Sequence, residues 1–487
     1  MLLSKILSGI EYCCKSFVDV ELKDIVYDSR KAEKDVLFVC LNGARFDAHQ
    51  YAGSAYEKGC RAFMVEHPVQ LPDDAVQIVV NDTRAMLAAA SANLFRHPTR
   101  EIKVIGITGT KGKTTTAHLV RALIEKSGTK CGIIGTVGAY YDNVRIETVN
   151  TTPESYELQK IFRTMIENGC KACVIEVSST GLRTHRVDGI EFEIGVFTNL
   201  SPDHIGPNEH PTFEDYMYWK SVLFERCRKA VVNTDDPAYT EMLKNCKCPV
   251  ITYGLEKADI IADNVQLIRT KQFLGISFDC IENRKNYYIE AALPGYFNVH
   301  NALAAVGVGI AMGIDVENNT QAFSEARVKG RAECVHVSDD FDVIIDFAHN
   351  GISVKSMLDT LKSYPHNRIY ILYGSVGGRT QMRRKELGLI TGKECDLSIL
   401  TSDDPDFENP DEIIAEIGRY VTEAGGKYVG IADRGEAIEY ALGLLQKGDI
   451  LLLAGKGHEQ FMKINGEHVP FSEMEHIENF KRRRAQK

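Results

Sequence analysis

No stretch of this sequence approaches the roughly 20 consecutive apolar residues that a membrane-spanning helix needs, and its start, Met1 to Leu7, has no long apolar run after Lys5. A cytoplasmic chain without membrane insertion is expected. Positive charge is also in short supply, since 57 basic residues against 67 acidic ones leave a formal charge of -10. That balance argues against a surface built to neutralise a nucleic-acid backbone or an anionic bilayer, so any anionic ligand must be met by a local pocket. The 13 cysteines follow no regular framework, which at this length points to reduced thiols rather than a disulfide scaffold. Cys170 and Cys173 have metal or redox spacing, but they lack a partner pair at zinc-site spacing and run into an apolar strand; buried packing thiols are expected. Internal repeats and low-complexity tracts are missing too, so boundaries must be read from motifs and changes of pattern.

What is present is ordinary globular composition, 44% hydrophobic and 25% charged with 39 Gly and 14 Pro, spread over 487 residues. That excludes the disordered and fibrous classes, and the length exceeds what one compact core holds. Three blocks emerge. The first, residues 1–99, mixes short strands such as Val36-Leu37-Phe38-Val39 with helical stretches such as Ala85 to Phe95, and closes at the turn His97-Pro98. The second, 100–333, opens with the apolar run Val104-Ile105-Gly106-Ile107. It then passes a glycine-rich turn and enters a helix with Val120, Leu123 and Ile124 on one face and Gly128 beyond its end. The third, 334–487, alternates apolar strands, Val343-Ile344-Ile345, Ile369 to Leu372, Leu397 to Leu400 and Ile450 to Leu453, with helices. The expected fold class is α/β in three domains, with a central P-loop-type, mostly parallel sheet and a C-terminal Rossmann-like sheet. Ligands of such sheets sit beyond the carboxyl ends of strands, where Gly374, Asp403 and Gly455 fall.

The segment Thr108-Gly109-Thr110-Lys111-Gly112-Lys113-Thr114-Thr115-Thr116 follows a strand and starts a helix, so its backbone N–H groups and the helix dipole can hold phosphates. Lys113 supplies a mobile positive charge and Thr114 can place a hydroxyl on Mg²⁺. Ile107 stands where the first glycine of the common P-loop would be. Glu176 ends the apolar strand Ala172 to Ile175 and offers a hard oxygen ligand, and Asn199 to His204 follow another apolar run, Ile194 to Phe197. Each alone reads as a structural polar group; their shared strand-end placement beside a phosphate loop favours metal binding. Lys220, in the helix-like stretch Phe213 to Phe224, reads by pattern as a solvated face residue.

Together these segments resemble the Mur ligases over essentially the whole chain. In order the matching motifs are Asp28-Ser29-Arg30, Gly109 to Thr115, Asn150-Thr151-Thr152-Pro153, Glu176-Val177-Ser178-Ser179, Asp203-His204, Lys220 before Leu223-Phe224 and Asn298 to Asn301. Gly330-Arg331, Asp346-Phe347-Ala348-His349, Asp403-Asp404-Pro405 and Gly455 to Glu459 complete the series. The resemblance implies a monomeric ligase that uses ATP and Mg²⁺ to activate the D-glutamate carboxylate of UDP-N-acetylmuramoyl-L-alanyl-D-glutamate as an acyl phosphate, which an incoming amino acid then attacks, in peptidoglycan precursor synthesis. It also implies roles. Ser29, Arg30, Thr151, Thr152, Ser178 and Arg186 would contact the UDP substrate; Gly109, Thr110, Lys111, Gly112, Lys113, Thr114, Thr115, Asn301, Arg331, Asp346 and His349 would lie along ATP. Lys113, Glu176, His204 and Lys220 would be catalytic. Thr114, Glu176, His204 and Lys220, the last carbamylated by CO₂, would hold Mg²⁺. Arg379, Asp403, Asp404, Asp406, Gly455 and Glu459 would shape the amino-acid pocket.

Several positions depart from the family pattern. Lys111 replaces a usual asparagine, Thr180 a histidine and Thr184 a glutamine, and Pro207 to His210 differ from the common form. Asp406 stands where enzymes selecting meso-diaminopimelate typically carry arginine. An aspartate there would repel the distal carboxylate and pair with a side-chain ammonium, so L-lysine is the expected amino acid, with meso-diaminopimelate the alternative. A folylpolyglutamate or poly-γ-glutamate type of ligase shares the ATP logic but fits the Ser29-Arg30 region and the third-block motifs less well. A catalytically silent ATP-binding regulator is the reading from a different class.

Overall fold

The computed structural model describes residues 1–43, 47–203, 205, 206, 209–283, 285–378 and 381–485. The chain divides into two compact units, Met1–Ile260 with Ala304–Val316, and Ile261–Leu303 with Glu317–Lys487.

The first unit holds two sheets. One is parallel throughout and runs in the order Asp24–Val26, Val36–Val39, Ala62–Val65, Val76–Val79. In the other, Val250–Gly254, Cys227–Asn233, Phe192–Phe197, Lys103–Thr108, Ala172–Glu176 and Cys131–Gly135 lie side by side in parallel. Gly138–Tyr141 and Val144–Ile146 extend it antiparallel. Strands covered on both faces carry continuous apolar runs rather than alternation, and Lys103–Thr108 is buried from Val104 onward. The helix Lys113–Lys126 buries Val120, Leu123 and Ile124, the face read from the sequence, and Gly128 follows it at φ +87°. From Lys103–Thr108 the chain moves to one side of the sheet for Cys131–Gly135 and Ala172–Glu176, and to the other for Phe192–Phe197. A reversal of this kind opens a crevice at the carboxyl edge, where ligands of such sheets bind.

The second unit is built on a sheet ordered Glu333–Val335, Asp342–Asp346, Ile450–Ala454, Ile369–Tyr373, Leu397–Leu400, Tyr428–Gly430, parallel except at its first edge. Alternate residues of a strand face opposite ways, and the two cores follow that rule. Ile344, Leu452, Ile371 and Leu400 pack with the helices Gly351–Lys362 and Pro410–Glu423. Val343, Leu451, Leu372 and Ile399 pack with Arg434–Leu444. The α/β class and the mostly parallel central and C-terminal sheets are those expected. Cys170 and Cys173 are buried packing thiols. Among the described residues no helix is long and apolar enough to cross a membrane.

Candidate active site

Three strand-end loops of the first unit converge on the glycine-rich turn. Gly109 has φ +147°, and a Cβ there would stand 2.0 Å from Thr198 Oγ1, so only glycine fits. Thr110 N donates to Asn199 O (2.8 Å), Lys111 N to Asn199 Oδ1 (2.8 Å), and Thr198 Oγ1 to Lys111 O (2.7 Å). Asn199 therefore braces the loop rather than offering itself as a ligand. Gly112, at φ +84°, turns the chain into the helix whose first turn carries Lys113, Thr114 and Thr115. Lys113 Nζ donates to Gly109 O (2.9 Å) and Thr110 O (3.1 Å), curling its charge over the loop.

Glu176 is 1% exposed at the end of its strand. Its carboxylate accepts from Thr114 Oγ1 (2.9 and 3.0 Å), Thr136 N (2.9 Å) and Thr136 Oγ1 (3.2 Å). A Cβ on Gly135 would come within 2.2 Å of the same carboxylate. A buried carboxylate beside a loop hydroxyl is the hard oxygen set that suits Mg²⁺, and the backbone N–H groups at the start of the helix Lys113–Lys126 suit a phosphate. These residues fit a magnesium nucleotide.

Lys220 overturns the solvated-face reading. Tyr216, Lys220, Leu223 and Phe224 recur at helical spacing on the buried side of Phe213–Glu225, and Lys220 is 2% exposed. Its Nζ donates to Gly109 O (2.9 Å) and lies 4.5 Å from the centre of the Tyr216 ring. Burial, and then the nearby Lys113 ammonium, hold the Lys220 amine well below the usual lysine range, against an opposing pull from Asp203. His204 lies outside the described residues. Lys111, exposed, points its ammonium to within 3.8 Å of Asp203.

Beyond Glu176 the hydroxyls continue. Thr152 Oγ1 donates to Glu176 O (2.9 Å), Ser178 N donates to Thr152 Oγ1 (3.0 Å), and Ser178 Oγ caps the next helix by accepting from Gly181 N (3.0 Å). Thr151 Oγ1 is 3.2 Å from Thr136 Oγ1, while Arg186 donates to Thr152 O (3.1 Å) and approaches Glu154 at 3.0 Å. Thr136 was missed in the sequence; the one signal was its place just past an apolar strand, and only the sheet order puts it beside Glu176. A cavity of about 630 Å³ opens nearby, lined among others by Tyr27, Lys31, Asn150, Pro153 and Glu154. Tyr27 donates to Glu157 there. Ser29 and Arg30 occupy the short turn between Tyr27 and Lys31, with Arg30 exposed and paired to Asp28 (2.7 Å) and Ser29 O accepting from Lys58 (2.7 Å).

In the second unit, Asp346 is almost fully buried and accepts from Ala332 N and Ala348 N, each at 2.7 Å. Burial raises its pKa against those two hydrogen bonds. Arg331 and His349 both lie against the Phe347 ring, at 5.1 and 5.0 Å, and Asn301 Nδ2 donates to Asn298 Oδ1 (2.8 Å). Asp403 is buried 2.4 Å from where a Cβ on Gly455 would stand, which explains the glycine. Burial raises the Asp403 pKa, opposed by Arg434 and Lys456. Lys456, fully buried, donates to Asp404 and Glu459, both at 2.7 Å. Burial opposes its charge, yet Asp403, Asp404 and Glu459 hold its pKa above the ordinary lysine value. Arg379 lies outside the described residues.

Asp406 is already committed. Its carboxylate takes Lys463 Nζ (2.7 Å) and Gly466 N (2.8 Å), and the chain holds it at φ +52° against the hairpin Phe461–Ile464 and Glu467–Pro470. The side-chain ammonium expected to meet it is Lys463, a residue of the chain itself. Asp406→Asn is therefore expected to leave the ranking of amino acids in a turnover panel unchanged.

Comparison with known proteins agrees along the chain. Residues 21–102 match the Mur ligase family, catalytic domain; 107–309 the Mur ligase middle domain; and 330–457 the Mur ligase, glutamate ligase domain. A UDP-N-acetylmuramoyl-L-alanyl-D-glutamate--2,6-diaminopimelate ligase of Caldanaerobacter subterraneus subsp. tengcongensis is 38% identical over 477 residues, covering 98% of each chain. The enzyme of the same name from Clostridium botulinum is 36% identical over 485 residues, 98% of this chain and 99% of the other. A solved structure of a ligase with that name superposes with a TM-score of 0.73 at 26% identity, covering 100% of this chain and 99% of the other. With its site geometry and its full-length relatives in accord, the chain belongs to the Mur ligase family, ATP-dependent enzymes that form a peptide bond between an acid and an amino acid.

Proposed function

We propose that this ligase adds 2,6-diaminopimelate to UDP-N-acetylmuramoyl-L-alanyl-D-glutamate. The supporting observation is that relatives named for that reaction align over nearly the whole of both chains. The lysine preference drawn from Asp406 is not carried forward. Those relatives are named for diaminopimelate, and Lys463 has taken the carboxylate on which the preference rested.

In this proposal the chain is organised as a UDP-substrate domain at 1–99, an ATP-binding domain at 100–333 and an amino-acid domain at 334–487. Lys113 and the N–H groups of Gly109 to Thr115 hold the phosphates, and the family resemblance assigns Asn301, Arg331, Asp346 and His349 to the nucleotide. Thr114, Glu176, His204 and Lys220, the last as its carbamate, would hold Mg²⁺. Bound magnesium would neutralise charge on the transferring phosphoryl group. The chain's own task is positioning, since a carboxylate becomes electrophilic only when its oxygen is turned into a phosphate leaving group. Thr151, Thr152, Ser178 and Arg186 contact the muramoyl-peptide substrate; Asp403, Gly455 and Arg379 receive the amino acid, beside Asp404 and Glu459, whose carboxylates already hold Lys456. Burial disfavours the proton on Lys220 Nζ, the direction that carbamate formation requires.

The test is ADP release by purified enzyme with the UDP-dipeptide and a panel of amino acids. Turnover with meso-diaminopimelate at least tenfold above that with lysine is expected. Lysine turned over as well or better would sink the proposal, and the reverse ranking would restore the lysine reading.

A further inference from the structure

Away from the phosphate loop, three cysteines gather at the opposite edge of the same sheet. Cys227 opens the strand Cys227–Asn233, and Cys246 and Cys248 lie in the loop before Val250–Gly254, the parallel neighbour of that strand. Parallel pairing brings both strand beginnings to one edge, so residues 21 apart in the chain meet there. Cys248 Sγ sits between the other two, 3.4 Å from Cys246 Sγ and 3.7 Å from Cys227 Sγ. All three are partly exposed, unlike Cys131, Cys170 and Cys173 of the same unit, which are sealed in its core.

We propose that Cys227, Cys246 and Cys248 form a binding site for one soft, thiophilic metal ion of the Zn²⁺ or Cu⁺ class. Metal–sulfur bonds of about 2.3 Å place two sulfurs of a tetrahedral site roughly 3.8 Å apart, so the 3.4 and 3.7 Å separations are near coordination distance before any ion arrives. Cys227 Sγ and Cys246 Sγ flank Cys248 without closing to within 4.8 Å of each other, so the ion would have to draw these two sulfurs together. An all-sulfur donor set selects soft cations over Mg²⁺ or Ca²⁺, which keeps this site chemically separate from the oxygen ligands around Glu176. Coordination releases each thiol proton to solvent as the metal–sulfur bond forms. The ion would staple the loop ahead of Val250–Gly254 to the end of the helix Phe213–Glu225, which carries Lys220.

The probe is Cd²⁺, added to the reduced, metal-free full-length chain. One equivalent is expected to bind with a thiolate-to-metal charge-transfer band in the ultraviolet, and to protect Cys227, Cys246 and Cys248 from iodoacetamide when the peptides are weighed. Cys248→Ser should weaken binding at least tenfold, because that sulfur bridges the other two, while Cys13→Ser should leave it unchanged. No band at one equivalent overturns the proposal, as does protection that maps to other cysteines or a Cys248→Ser variant that binds like the wild type. If Cys248→Ser does not fold, the protection pattern in the wild-type chain decides by itself.

Discussion

Replacing Lys220 by alanine is expected to lower kcat by roughly 10²–10³-fold, the usual cost of removing one electrostatic partner from a preorganised site, with no recovery in high bicarbonate. Wild-type enzyme stripped of CO₂ should lose activity and regain it when bicarbonate is added. Full activity in the variant would remove the lysine from the mechanism. A second readout follows from the same burial. The Lys220 amine is held well below its ordinary pKa in the folded chain, while the unfolded chain binds its proton up to the usual lysine range. Between those two values the unfolded state holds more protons, so stability rises with pH across that window. Lys220→Met abolishes this contribution, and the stability difference between wild type and variant should move in favour of the wild type as pH is raised. A difference that stays flat would mean the amine is ordinary.

Arg434→Met is expected to cost about 3–5 kcal/mol, read as a drop in the chemical unfolding midpoint of the second unit. Arg434 is 1% exposed, and its guanidinium meets Glu473 Oε1 at 3.0 and 2.6 Å, Ser402 O at 3.1 Å and Ala454 O at 2.8 Å. It thereby ties together the strand ends that carry Asp403 and Gly455. Removing it leaves the Glu473 carboxylate buried and without its cation. Burial already raises the Glu473 pKa, with Arg434 opposing, and losing the arginine raises it further. A native carboxyl with a raised pKa holds its proton where the unfolded one has lost it, so the variant's deficit should shrink on acidification and be largest near neutral pH. Adding Glu473→Gln to Arg434→Met should recover part of the loss. A midpoint unchanged in the single variant would show that the pair contributes nothing to holding the pocket.

Much of this architecture was legible in the residues because short-range rules dictate it. Continuous apolar runs such as Val104 to Ile107 and Ile450 to Leu453 can be satisfied only by strands covered on both faces. Gly109 marks backbone that a side chain would obstruct, Gly112 a positive φ that favours glycine, and the helix after Lys113 carries its apolar residues at helical spacing. The site was harder to read. Glu176 stood out at a strand end, but Thr136 did not, since its partnership depends on which strands are neighbours. By its pattern Lys220 looked like any surface lysine, and only the family resemblance gave it a role; its helix turns it inward beneath Gly109. Asp406 misled for a similar reason: a carboxylate in a motif is an available ligand only if nothing nearer has claimed it, and Lys463, 57 residues away, had.

By itself, then, the sequence determined the α/β class and the family, the first from periodicity within a few residues of chain and the second from the order of motifs along the whole of it. Tertiary structure alone decided which polar groups are buried, which charges neutralise one another and which thiols meet. Hydrogen bonds, ion pairs and desolvation act over a few ångströms of space, and the sheet order that sets those distances is not written in any local stretch of residues.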